Sequence, residues 1–322
     1  MLAEYALIPD IFDISKYNSP ELFDVCLQHL KQPLLEEALV RNLCDGSWRR
    51  YFDNETNILH SPAKELIRKL ITQNRLRSFP SVEIHSPQND FEWCKEAISS
   101  HHQEPLDGII STSATTQLFN KKEMILASIQ KLSNAQWWRE RSPSARPHRN
   151  IEDYLKHLHK ILNQANHIMF IDPHLDPTRP SYKEFVKLLC SIRQTVPPLL
   201  ELHRVSHTGS GKNIEYPTEQ EWKDCFYQGL HQPLIEMDLS VNVFMWDIPK
   251  WDELEFHDRY LITNIIGISL ANGFDVSRNS QARTTWARLG KKDRDDIQKE
   301  FDPKAHRQKI QYAFHVGADT KR

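Results

Sequence analysis

From Asn150 onward the chain alternates short apolar runs with segments of helical periodicity. Buried strands are predicted at residues 167–172, 199–205, 239–246 and 265–271. Helices are predicted at residues 151–162, 185–192 and 218–230. The last of these begins with a capping box of Thr218 and Glu221. Repetition of strand, helix and strand predicts an α/β fold with a mixed or parallel sheet flanked by helices, in which active sites lie at the carboxyl ends of the strands.

The first 136 residues predict a smaller α/β domain with a large helical share and no assigned role. Apolar residues recur at helical spacing in segments 22–30 and 66–71. Short strand-like runs occur at residues 5–8, 82–84 and 108–111, and a helix is predicted near residues 123–132.

The segment 137–150, WWRERSPSARPHRN, interrupts both patterns with two prolines and four arginines. It predicts a solvated linker between an N-terminal domain of residues 1–136 and a C-terminal domain of residues 151–322. The alternative interpretation is an aromatic and basic strip that touches a phosphate backbone.

Composition restricts the class of protein. With 39% hydrophobic and 26% charged residues, the chain resembles ordinary globular proteins. Its formal net charge of −2 argues against a generally basic protein that coats nucleic acid, although it leaves room for a local basic patch. No apolar run approaches the roughly 20 residues that cross a bilayer, and the first ten residues do not resemble a signal peptide. We therefore expect a cytoplasmic protein that does not bind membranes.

The cysteines predict no special chemistry. There are five, widely spaced and never in a CxxC pair: Cys26, Cys44, Cys94, Cys190 and Cys225. This arrangement indicates neither a disulfide framework nor a zinc site. The run GSGK at residues 209–212 lacks the spacing of a P-loop and predicts a turn. We expect no cofactor and no metal.

The segment from His257 to Asn272, HDRYLITNIIGISLAN, carries the strongest chemical signal. His257 and Arg259 lie two residues apart at the start of an apolar strand, which places both on one face. An imidazole can attack phosphorus or protonate a leaving oxygen, while a guanidinium holds the phosphate oxygens. The pair predicts a phosphate site.

The spacing of this segment resembles the phospholipase-D-like superfamily. That family is marked by His-x-Lys, four residues, Asp, and then a small turn containing Asn. Here the pattern is His257-x-Arg259, four residues, Asn264, then Ala271-Asn272-Gly273. The version found in the phospholipase-D-like domain of MIT C-terminal proteins and related bacterial proteins is similar. Its ending matches Gly273-Phe274-Asp275, and its early D-P-(Y/H)-(L/I) element matches residues 172–175.

The resemblance implies a C-terminal phospholipase-D-like domain in which His257 is the nucleophile and Arg259 binds phosphate. Asn264 would take the place of the family's aspartate, and Asn272 and Asp275 would contact substrate. The family also needs a second histidine as acid and base, but the chain has no second His-x-Lys motif. That histidine would come from another subunit of a homodimer or from His174, His203 or His207.

Four further residues lie near predicted strand ends. Asp172, His174 and Asp176 are interpreted as turn residues beside the site rather than as metal ligands. Arg204 either reaches the same cleft or pairs with a carboxylate. We include Asp172, His174 and Arg204 among the candidate substrate-binding residues.

The N-terminal domain gives a weaker signal. Asp10 and Asp13 follow the strand-like run at residues 5–8. This arrangement is similar to metal-dependent nucleases of the PIN-like group, in which carboxylates hold magnesium. No later acidic partner has a defensible spacing, so we expect this domain to position a substrate or a partner.

Two functional hypotheses follow. The first is a metal-independent phosphodiesterase or nuclease acting on nucleic acid, with a role in bacterial defence or DNA repair and with partner proteins of a defence system. The second is a catalytically inactive module of the same fold that binds phosphate-bearing ligands or a protein partner.

Overall fold

The computed structural model describes residues 1–53, 59–119, 123–209, 213–247, 258–305 and 309–318. The chain divides into two compact units, Leu2–Ser142 and Pro143–Arg322. None of the described helices combines the length and apolar character needed to cross a membrane.

The N-terminal unit is built on a five-stranded sheet in which every neighbouring pair is parallel. Its strands are β1 (Ala3–Leu7), β2 (Ala38–Asn42), β3 (Leu76–Ser78), β4 (Gly108–Ser111) and β5 (Leu126–Ser128). They lie in the order β3-β2-β1-β4-β5. The chain therefore reverses its direction of progress at the β1–β4 pair, where doubly wound sheets form a crevice.

Helices connect these strands: α1 (Pro20–Gln32), α2 (Leu43–Asp53), α3 (Ser61–Thr72), α4 (Asp90–Gln103), α5 (Ser113–Thr116) and α6 (Gln136–Arg139). The first turn of α1 is fixed by Ser19, whose hydroxyl accepts a hydrogen bond from the Leu22 amide, and by Pro20. Asn89 caps α4 in the same way.

Two local predictions for this unit are wrong. Residues 82–84 form no strand, because their three amide groups donate to the buried carboxylate of Glu96 on α4 at 2.6–2.9 Å. Residues 123–132 form no α-helix. They contain β5 and the start of a 3-10 turn, Ile129–Asn134, because residues 126–128 pair with β4.

The C-terminal unit is built on an eight-stranded mixed sheet. Its strands are β6 (Ser144–Ala145), β7 (His167–Ile171), β8 (Leu199–Val205), β9 (Ser240–Asp247), β10 (Tyr260–Thr263), β11 (Gly267–Leu270), β12 (Trp286–Arg288) and β13 (Lys309–Gly317). They lie in the order β13-β9-β8-β7-β10-β11-β12-β6. The fold confirms the predicted α/β class with a mixed sheet flanked by helices.

Several strands begin or end along one edge of this sheet, the edge that runs across the strand ends. Strands β7, β8 and β9 are mutually parallel, so their carboxyl ends lie together. Strand β10 is antiparallel to β7, with Tyr260 opposite Ile171, so it begins where β7 ends. Strand β11 ends at this edge as well, since Leu270 pairs with Trp286 at the start of β12, and Trp286 in turn pairs with Ala145 at the end of β6.

The helices of this unit are α7 (Ile151–Leu162), α8 (Val186–Leu189), α9 (Glu219–Phe226), α10 (Gln232–Glu236) and α11 (Lys291–Glu300). The predicted capping box of Thr218 and Glu221 is confirmed at the start of α9. Helix α11 is strongly polar, yet Ile297 and the following Phe301 pack on Met169 and Trp246 of the sheet. It therefore covers one sheet face instead of projecting into solvent.

The segment 137–150 is divided between the two units at Ser142 and Pro143. In the N-terminal unit Trp138 is buried, and the guanidinium of Arg141 lies 3.6 Å from the centre of its ring. In the C-terminal unit Ser144 and Ala145 form β6, which pairs with β12. Both halves of the segment are thus built into ordered structure.

Candidate functional site

The candidate site lies at the edge where β7 ends and β10 begins. Arg259 directly precedes β10, and its carbonyl accepts a hydrogen bond from the Leu270 amide at 2.8 Å. Asp172 directly follows β7. The antiparallel register between these strands brings the two side chains together, with Arg259 Nε 3.8 Å from Asp172 Oδ1.

Asp172 is fully buried and accepts several hydrogen bonds. Oδ1 accepts from the His174 amide at 3.0 Å, and Oδ2 accepts from the Tyr182 hydroxyl at 3.0 Å and the Phe274 amide at 3.3 Å. Burial raises the pKa of Asp172, although the hydrogen bonds and Arg259 act in the opposite direction. The Asp172 carboxylate thus holds the loop after β7 and the loop after β11 close to the Arg259 side chain.

Gly273 makes this close approach possible. Its φ of +70° lies in the left-handed region, and a Cβ atom there would lie 2.2 Å from Asp172 Oδ2 and 2.8 Å from Arg259 Cδ. Only glycine meets both the backbone and the space requirement. The small residue of the Asn-Gly turn therefore has a definite packing role.

A second carboxylate, Asp275, lies in the same loop and pairs with Arg149. The Tyr154 hydroxyl donates to the Asp275 carbonyl at 2.9 Å, which fixes the loop against α7. Burial raises the pKa of Asp275 and outweighs the lowering by Arg149 and Arg259. Sequence reasoning missed Arg149, which lies in the predicted linker.

His174 and Asn272 are exposed at this edge. His174 follows Asp172 by two residues, and Asn272 lies between the end of β11 and Gly273. The structure therefore brings together five of the candidate site residues: Asp172, His174, Arg259, Asn272 and Asp275. His257 lies outside the described residues.

The structure does not bring Asn264 to this site, and its predicted catalytic position is corrected. Asn264 follows β10 at the opposite end from Arg259, about 16 Å away at the usual rise of a strand. Its Oδ1 accepts hydrogen bonds from the amides of Asn166 at 3.0 Å and His167 at 3.4 Å. Asn264 therefore holds the start of β7 against the end of β10.

Arg204 also has a different role from both predicted alternatives. It is buried, and its guanidinium donates to the carbonyls of Leu175, Val205 and His207 at 2.8–3.0 Å. The guanidinium also lies 3.8 Å from the ring centre of Trp222. Arg204 thus binds the loops after β7 and β8 from inside the protein, through backbone carbonyls.

Among the candidate second histidines, His203 is fully buried within the C-terminal unit. Its ring stacks on Phe244 and Trp246, and its Nε2 lies 3.4 Å from Glu201 Oε2. His203 therefore cannot reach a substrate at the edge. His207 follows β8 and is half-buried.

In the N-terminal unit, Asp10 lies at the crevice between β1 and β4. Its Oδ2 accepts from the hydroxyls of Ser111 and Thr112 and from the Thr112 amide at 2.6–3.0 Å. Burial raises the pKa of Asp10. Asp13 instead accepts from the amide and hydroxyl of Ser15. Across the described parts of the chain, no three His, Cys, Asp or Glu residues are grouped to hold a metal ion.

Among solved structures, the chain is similar to a phospholipase D family member, Nuc from Salmonella typhimurium. The TM-score is 0.30 and the sequence identity is 8%, over 52% of this chain and 96% of the Nuc chain. No model of a protein family and no curated protein matches the chain.

Proposed function

We propose that the C-terminal unit is a phospholipase-D-like phosphodiesterase in which Arg259 binds the phosphate. The supporting observation is that Asp172 Oδ1 joins the His174 backbone, at 3.0 Å, to Arg259, at 3.8 Å. This junction lies at the carboxyl ends of parallel strands, where open α/β sheets bind their ligands. A guanidinium held from behind by a carboxylate can present its outer N–H groups to phosphate oxygens.

His257 is the proposed nucleophile, because it precedes Arg259 by two residues in the matching motif. Its imidazole attacks phosphorus while the bond to the leaving oxygen breaks, and the imidazolium of a second histidine protonates that oxygen. Water then gives a proton to the neutral imidazole of this second histidine and attacks the phosphorus that is bound to His257. The P–N bond breaks, which releases His257 and the phosphate product.

We assign the acid and base role to His174 of the same chain. Its backbone shares Asp172 Oδ1 with Arg259, and its side chain is exposed. An exposed imidazole beside the phosphate-binding group can exchange protons near neutral pH. The buried position of His203 argues against the alternative within β8.

An arginine rim supports a polyanionic substrate such as nucleic acid. We give this name to Arg146, Arg149, Arg278 and Arg283, which lie on two loops that leave the same edge of the sheet. The loops are joined by hydrogen bonds from the Ser277 amide to the Arg149 carbonyl and from Arg283 to the Arg146 carbonyl. Three of the four side chains are exposed. Clustered arginines attract successive phosphates despite the near-neutral charge of the whole chain.

The test is cleavage of single- and double-stranded DNA and RNA, with and without EDTA. We expect metal-independent cleavage that His257→Ala abolishes and Arg259→Ala lowers by about 10²–10³-fold, as for the loss of a preorganised charge. The control is Arg193→Ala, an exposed arginine that precedes β8 and therefore lies near the opposite edge. It should retain full activity.

Two outcomes would contradict the proposal. Cleavage that EDTA abolishes would move the chemistry to a metal site elsewhere in the chain. Binding of nucleic acid without cleavage by the wild-type protein would favour the inactive phosphate-binding module, which the single His-x-Arg motif of the sequence also permits.

A further inference from the structure

A cavity of about 390 Å³ lies on one face of the C-terminal sheet, separate from the edge that carries Asp172. Its floor is formed by the parallel strands β7, β8 and β9 near their amino ends, where His167 and Leu199 begin their strands. Gln298 of α11 and residues 302–304 close it from above. Its volume falls within the range of small-molecule sites, about 300–1,000 Å³.

The central polar group of this cavity is Glu201, which is 8% exposed. Its Oε2 lies 3.0 Å from Nε2 of His167 and 3.4 Å from Nε2 of His203. Among the residues that the structure describes, none donates a hydrogen bond to Oε1. A buried carboxylate oxygen in a cavity is therefore left for a donor from outside the fold.

The hydrogen-bond chain fixes the charge on this group. Trp246 Nε1 donates to His203 Nδ1 at 3.2 Å, so His203 carries its single proton on Nε2 and donates it to Glu201. Burial lowers the pKa of His203, which keeps this ring neutral. It can therefore orient the carboxylate but cannot neutralise it.

Glu201 stays ionised over the whole physiological range. Burial raises its pKa, but the hydrogen bonds from His167 and His203 outweigh this effect and lower it to about 2. The other charged residues of the lining, Asp302 and Lys304, have opposite signs. The charges of Asp302 and Lys304 therefore balance, and Glu201 remains as the negative charge of the lining, beside the His167 imidazole. A buried charge without a full counter-charge is costly.

The remaining lining suits a compact hydrocarbon body. Met169, Leu199 and Phe244 provide apolar surface beside the carboxylate, and Asn242 adds a polar amide. A cation that enters would exchange water for an ion pair with Glu201 and for contact with an aromatic ring. An anion or a purely apolar ligand would leave Oε1 of Glu201 without a donor.

We propose that this cavity binds a small organic cation, an amine or guanidine with a short hydrocarbon body, whose N–H groups pair with Glu201 Oε1. The site is independent of the proposed phosphodiesterase activity, since it shares none of the residues assigned to that reaction. Binding here would make the unit responsive to a small cationic metabolite.

The test is calorimetric titration of the full chain with butylamine and butylguanidine, with butylurea as the uncharged control of nearly the same shape. We expect the two cations to bind with dissociation constants below about 1 mM and butylurea to bind at least tenfold more weakly. Glu201→Gln should weaken cation binding by at least tenfold. Glu152→Gln, at an exposed position on α7, should leave it unchanged.

A second variant covers the case in which Glu201→Gln does not fold. Leu199→Phe adds bulk to the cavity floor and leaves the carboxylate in place, so it should also abolish cation binding. The proposal is overturned if no cation binds the wild type, if butylurea binds as well as butylguanidine, or if a folded variant of either kind binds like the wild type.

Discussion

At the scale of the residue, Asp172 organises the candidate site. Its buried carboxylate accepts hydrogen bonds from two backbone amides and one hydroxyl, and Arg259 forms an ion pair with it. Because burial raises its pKa, ionised Asp172 depends on these donors for compensation. Replacement of Asp172 would release both the loop that carries His174 and the Arg259 guanidinium. We therefore expect it to lower activity more than the loss of any one of these contacts would.

Gly273 gives the sharpest test of this packing. Gly273→Ala places a Cβ against Asp172 and demands a left-handed backbone from alanine, so we expect a loss of about 2–4 kcal/mol in the free energy of unfolding. Urea denaturation measures it. Gly290→Ala is the control: its φ is −64° and the nearest atom to a Cβ is 3.6 Å away, so it should cost less than about 1 kcal/mol. Equal losses in both variants would show that the close approach at Gly273 is relieved easily.

The stability of the C-terminal unit should depend on pH through Glu201. Because its folded-state pKa is depressed to about 2, its contribution is fully present above the unfolded value near 4.5 and is lost as pH falls through about 2. The full contribution corresponds to about 3 kcal/mol. The difference in unfolding free energy between wild type and Glu201→Gln, measured by urea denaturation from pH 7 to pH 2.5, should shrink in this interval. A difference that stays constant with pH would contradict the assignment.

The residues of the candidate site could be predicted where each adjoins a strand end. Asp172 and Arg259 flank β7 and β10, and antiparallel pairing brings those ends together. Asn264 could have been rejected from the sequence, since the four residues of a strand separate it from Arg259. Arg149 could not be found, because its contact with Asp275 depends on the pairing of β6 with β12, more than a hundred residues apart.

At the scale of the element, some strands were predictable and others were not. The predicted strand Leu199–Val205 matches β8, although β8 contains Glu201 and Arg204. Strand β2 was missed; it contains Arg41, whose burial is compensated by a 2.9 Å ion pair with Glu4 on β1 and by hydrogen bonds to Ser100 and to the Glu104 carbonyl. Residues 82–84 show the converse, since an alternating pattern meets a carboxylate instead of a neighbouring strand. Periodicity reports local preference, whereas the partner of each backbone amide is decided by the tertiary fold.

At the scale of the whole molecule, the near-neutral net charge is the sum of local regions of opposite charge. The arginine rim lies at the edge of the C-terminal sheet, while the carboxylate of Glu201 lines a cavity on one face of the same sheet. The two features favour ligands of opposite charge. Under the two proposals, a polyanion and a small cation would bind at separate sites, since the sites share no residue.

The source of the second histidine decides whether one chain suffices for catalysis. The single motif left open a second subunit of a homodimer or a histidine of the same chain. Under the assignment proposed above, His174, whose backbone shares Asp172 Oδ1 with Arg259, would make a second copy unnecessary. We expect His174→Ala to lower the cleavage rate by about 10²–10⁴-fold, as for the loss of a general acid. We also expect the wild-type rate per chain to be independent of protein concentration. If His174→Ala retains full activity while the wild-type rate per chain falls on dilution, the acid belongs to a second subunit, because only a shared site would dissociate with the dimer.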